Sequence, residues 1–176
     1  MKAFVATLAF LAVAALLGAP AAEAQSEDLV ESQQDWSVFA RGDGSDKVCW
    51  IASSPTASRA LRDGQPVEVN RGDIYLMVSF RPSENVSQEV SFISGYPFRD
   101  GSTVEAAVGD DGWEMFTVSE NAWLSSSDKD AAIVDAFKRG ADAKFTGVSS
   151  RGTTTIDTFS LLGFTAAVEK AQSLCG

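Results

Sequence analysis

Short alternating runs separated by turn residues constrain this chain more than any other feature. Thr103 to Val108 and Trp113 to Val118 flank Gly109-Asp110-Asp111-Gly112, the pattern of two strands joined by a tight turn. In Gln88 to Ile93, Val90 and Phe92 point one way and Glu89 and Ser91 the other. Trp36 to Ala40 and Lys47 to Ser53 form another candidate hairpin around Gly42-Asp43-Gly44-Ser45-Asp46. Ile74 to Phe80 is the most apolar strand. Ala122 to Leu124, Ala143 to Val148 and Thr153 to Phe159 complete the set. Runs this short, so punctuated, predict a mainly β fold: an antiparallel β-sandwich or barrel.

The period changes twice. Ile133, Val134, Phe137 and Ala141 share one helical face, Ser127 suits the N-cap with Asp130 at the capping-box position, and Gly140 suits the left-handed position after the last turn. Phe164, Ala167, Val168 and Ala171 mark a second helix, which ends at Cys175. The two short helices are expected to flank the sheet. Most of the four tryptophans and eleven phenylalanines are expected in the core.

The N-terminus sets the compartment. Lys2, an apolar run from Ala3 to Leu17, the breakers Gly18 and Pro20, and Ala22-Glu23-Ala24 make a secretory signal, with cleavage expected between Ala24 and Gln25. The apolar run is shorter than the ~20 residues that span a bilayer, and no later segment qualifies. The domain reading is therefore a signal peptide over 1–24, a flexible acidic N-terminus over 25–35, and one β domain over 36–176. Export also bears on the two cysteines. An even count in an exported chain predicts a Cys49–Cys175 disulfide, the alternative being two buried free thiols.

Charge and composition exclude several function classes. The signal holds one Lys and one Glu, so the mature chain keeps the net charge of −10. That surface repels nucleic-acid phosphates and anionic lipid. With no histidine there is no Ser-His-Asp or Cys-His mechanism, and two cysteines alone cannot furnish the usual zinc ligands. No Gly-rich phosphate loop is present. Asp110 and Asp111 are neighbouring carboxylates in a turn. Arg71-Gly72-Asp73 has the letters of an adhesion signal but reads as an ordinary turn before a strand. No catalytic residue, cofactor or metal is predicted. Tyr96-Pro97-Phe98, between Gly95 and Arg99-Asp100-Gly101, is the candidate partner-binding loop, since aromatic side chains on a loop supply contact area at low entropic cost.

Several longer segments resemble the invasion-associated locus B family of alphaproteobacteria. They are Cys49-Trp50-Ile51-Ala52-Ser53, Tyr75 to Pro82, Glu89 to Phe92 with Gly95 to Phe98, Ser150 to Leu161, and Gly163 to Ala167. Members often carry a further cysteine pair ahead of the first helix, where this chain reads Ala122-Trp123-Leu124. The resemblance implies an exported, mainly β, non-catalytic protein of the periplasm or outer membrane, with a binding or structural role and an unknown envelope or host partner. The competing expectation is an envelope hydrolase or enzyme inhibitor using carboxylate chemistry.

Overall fold

The computed structural model describes residues 29–175. The signal segment and the Ala24–Gln25 junction lie outside the described residues. Twelve strands and two helices are described. The strands are β1 Leu29–Gln33, β2 Trp36–Arg41, β3 Val48–Ser53, β4 Ala57–Arg62, β5 Gln65–Pro66, β6 Tyr75–Arg81, β7 Val86–Ile93, β8 Thr103–Val108, β9 Asp111–Val118, β10 Asn121–Trp123, β11 Asp142–Val148 and β12 Thr154–Ser160. The helices are α1 Ser127–Arg139 and α2 Phe164–Cys175.

All strands belong to one sheet of order β1-β2-β3-β6-β7-β10-β9-β8-β11-β12-β4-β5, and each neighbouring pair is antiparallel. The sheet is not closed, so the barrel alternative gives way to a sandwich-like fold. Its two wings meet through β10, only three residues long. The inner faces then pack on each other. Phe92 of β7 stacks on Phe145 of β11 at 4.9 Å and meets Phe159 of β12 edge-on at 6.1 Å. The Trp36 indole donates to the Ser160 carbonyl at 3.0 Å.

Alternation decides which residues make this core. Trp36, Val38, Cys49, Ile51, Leu76, Val78, Val90 and Phe92 are wholly buried on one wing, and Val104, Ala106, Ala143, Phe145 and Phe159 on the other. α2 covers β2, β3 and β6, while α1 rests on β7. Phe164 and Phe137 meet edge to face at 5.2 Å, joining Trp36 on one side to Phe145 on the other. Of the four tryptophans only Trp36 is fully buried; Trp50 stacks on Phe39, and Trp123 lies beside exposed Phe116 on the outer face.

Two expectations need correction, and one hairpin is additional. Regular structure is present ahead of Trp36, in β1 at Leu29–Gln33. β1 turns back through Gln34 at φ 55 and pairs with β2, because backbone pairing at a sheet edge does not require apolar side chains, and Lys170 of α2 holds Glu31 at 3.4 Å. The hairpin of β4 and β5 was not apparent from side-chain alternation; its signal is the Asp63-Gly64 pair, both at positive φ, which two-residue hairpin turns require. At α1 the N-cap is Ser126, and Asp130 leaves the capping-box role to accept the Val90 backbone N–H of β7 at 2.9 Å. Ala141 lies past the helix end and is exposed, and Gly140 has φ −83, not a left-handed value. Space explains that glycine: a Cβ would lie 2.5 Å from Val108 Cγ1 and 2.9 Å from Leu161 Cδ1.

The predicted disulfide is present. Cys49 of β3 is bonded to Cys175 at the end of α2, with Cα atoms 5.9 Å apart across 126 positions of sequence.

Candidate functional site

A cleft of about 610 Å³ opens where the β11–β12 turn, the end of β4 and the segment after β7 converge. Its construction starts from Asp157. Thr153, Thr155, Asp157 and Phe159 follow a period of two and all face inward, which places a carboxylate in the core. A buried charge must be paired and hydrogen-bonded. Arg71 supplies the pair: Nη1 donates to Oδ1 at 2.9 Å and Nη2 to Oδ2 at 2.8 Å. Ser58 Oγ donates to Oδ1 at 2.6 Å. The rest of the guanidinium is used as well, since Nε and Nη2 donate to the Ser94 carbonyl at 3.0 and 2.6 Å.

This pair organises the residues above it. The Arg71 guanidinium lies 4.9 Å from the Tyr96 ring centroid. The Tyr96 hydroxyl meets Thr155 Oγ1 at 2.6 Å, and Thr155 continues toward Asp157 Oδ2 at 3.5 Å. Burial pushes the Tyr96 phenol up, against the lowering effects of Thr155 and Arg71. The backbones of Gly72 and Gly95 touch beneath: the Gly72 N–H donates to the Gly95 carbonyl at 2.8 Å, and Gly95 has φ +70. A Cβ on Gly95 would collide with the Gly72 carbonyl, so no other residue fits there.

The predicted aromatic loop is therefore not a free surface. Phe98 is 5% exposed and packs on Tyr96 and Phe92. Its N–H donates to the Ser119 carbonyl at 2.8 Å, the Arg99 N–H to Val148 at 2.9 Å, and the Ser150 N–H to Pro97 at 2.9 Å. Pinned on both flanks, the segment turns Phe98 into the core and leaves Tyr96 half-buried. Pro97 alone of the three is exposed.

The cleft rim holds Arg62, Glu68, Val69, Pro97 and Arg151. Arg62 Nη2 donates to Thr153 Oγ1 at 2.8 Å. Sequence reading missed these arginines and Asp157. Asp157 was legible as an acid on the inward face of an alternating strand; Arg62 and Arg151 lie 89 positions apart and carry no motif. Asp110 and Asp111 are exposed in the β8–β9 turn and border a separate cavity, of about 640 Å³, beside Arg139 and Lys144. Among the described residues, no group of three or more Cys, Asp or Glu is placed to hold a metal ion.

The sequence model of one protein family, described as Invasion associated locus B (IalB) protein, matches residues 36–172. The chain belongs to the IalB family. The match takes in every residue that builds the cleft, from Arg62 to Asp157, so the cleft lies within the IalB region and not in an appended segment. The crystal structure of invasion associated protein B from Bartonella henselae is similar in fold, with a TM-score of 0.53 and 15% identity over 82% of this chain and 95% of that one. No curated protein matches the chain. Among the described residues, no helix is long and apolar enough to cross a membrane.

Proposed function

We propose that this IalB-family chain is an exported, non-catalytic protein of the bacterial envelope, periplasmic or held at the outer membrane, that binds a partner through the Arg62–Arg151 cleft. The observation that carries the reading is the cleft: a concave surface with convergent polar groups, set on a rigid buried ion pair. The Cys49–Cys175 bond supports an oxidising compartment. Cleavage between Ala24 and Gln25 belongs to the same proposal. The carboxylate-hydrolase alternative calls for two acids facing each other across a cleft. Glu68 is the one acidic residue lining this one, which favours binding over that chemistry.

The test uses native protein recovered from envelope fractions. Its chain should begin at Gln25, and its two cysteines should resist alkylation until reduced. Immobilised mature protein should capture a component of envelope extract that an Arg62→Glu, Arg151→Glu variant does not. Intact Met1 in that fraction would overturn the export proposal. Equal capture by the variant would overturn the cleft as the binding region.

A further inference from the structure

We infer that the cleft receives a single compact oxyanion, a carboxylate or a phosphate monoester, carried on a ligand with an apolar group beside it. This rests on the reading of the cleft as a binding site and adds the chemistry of its ligand.

The register of β4 on β12 supplies the first part of the case. Leu61 pairs with Thr154, so Arg62 emerges beside Thr153 at the β11–β12 turn. The Thr153 hydroxyl fixes one guanidinium nitrogen without neutralising it, and among the described residues the other N–H donors of the fork make no further side-chain hydrogen bond. Arg151 comes from the same turn and lines the same cleft. Arg99 approaches the same turn without lining the cleft: its Nη2 lies 3.2 Å from where a Cβ on Gly152 would stand. None of the ion pairs among the described residues involves Arg62, Arg99 or Arg151. Lone surface arginines are ordinary; two lining one cleft, with a third at the same turn, in a chain with net charge −10 are not. Such a concentration makes the cleft the place where an otherwise anionic surface attracts negative charge.

The other lining residues narrow the ligand. Arg71 is spent on Asp157 and Ser94, so it positions Tyr96 and is not a ligand group. Glu68 on the rim opposes a second anionic group, which disfavours polyanions and selects a single anionic head. Val69, 40% exposed, and Pro97 offer apolar contact beside the arginines. Guanidinium forks recognise carboxylate and phosphate alike, through two parallel hydrogen bonds. Both sources therefore enter the test.

The experiment titrates oxidised mature protein, at low ionic strength and neutral pH, with benzoate, phenyl phosphate and uncharged benzamide, read by amide chemical shifts. Saturable shifts at Gly152, Thr153 and Tyr96 with benzoate, phenyl phosphate or both are expected, with benzamide at least about tenfold weaker. Whichever anion binds more tightly names the source. Arg62→Gln and Arg151→Gln, made separately because both side chains are at the surface, should each weaken the anion by at least about threefold. Glu68→Gln should tighten it, a change that a merely structural role for Glu68 would not produce. Absence of saturable shifts with both anions would overturn the inference, as would unchanged affinity in both arginine variants. If benzamide binds as well as benzoate, the oxyanion assignment fails while the cleft remains a binding site.

Discussion

Arg71 grips both carboxylate oxygens of Asp157 from 86 positions away in sequence, and the two side chains are 7% and 0% exposed. Removing one member leaves the other charged in the core. Asp157→Ala and Arg71→Ala should each cost about 3–5 kcal/mol in denaturant unfolding. An Arg71→Met, Asp157→Leu double variant should cost clearly less than the sum, because neither charge is then stranded. Additive losses would mean that the pair is not the organising contact of the cleft.

Asp130 gives the stability a pH dependence of defined sign. Its carboxyl is pushed up to about 6, chiefly by burial, against the Val90 hydrogen bond and with some help from Glu89. A carboxyl that binds its proton more tightly in the folded state favours folding while protonated. That contribution is complete below the unfolded value near 4 and is lost as pH rises through about 6. Asp130→Asn keeps an acceptor for Val90 and removes the charge. The variant should be more stable than the parent at pH 8, by up to about 3 kcal/mol, and the difference should close toward pH 4. Melting curves at pH 4, 6 and 8 decide the matter; a gap that grows on acidification contradicts it.

The Cys49–Cys175 bond ties α2 to β3. Cys175→Ser should lower stability by about 2–5 kcal/mol. Reductant should bring the parent down to the variant's melting temperature and leave the variant where it was. If reductant lowers both equally, the loss lies elsewhere than in this bond.

Neighbouring positions in the Gly95–Arg99 segment should behave very differently. Phe98→Ala empties a buried aromatic site and should cost about 3–5 kcal/mol. Pro97→Ala, at an exposed position, should change stability by less than about 1 kcal/mol. Similar unfolding midpoints for the two variants would return Phe98 to the surface.

The sheet was legible because half-buried antiparallel strands write their pattern locally: β3 and β8 each alternate, and Gly109-Asp110 marks the turn between β8 and β9. α1 was legible for the same reason at a different period. β1 was not, since an edge strand held by backbone bonds needs no apolar face. The cleft was the hardest part to read. Arg62, Arg71 and the Arg151–Asp157 hairpin arm come from three separated segments and meet only because β12 lies between β11 and β4 in the sheet. The Arg71-Gly72-Asp73 tripeptide was readable as a turn, but its arginine's distant partner was visible only as an acid on the inward side of β12.

Cys175 lies beyond every described strand in chain order, while its partner sits in the third. The native pairing therefore forms only once all twelve described strands and α2 have been made. Any product cut short before α2 is left with an unpaired Cys49 thiol, open to mixed-disulfide exchange. The bond is thus a covalent record that synthesis ran to α2.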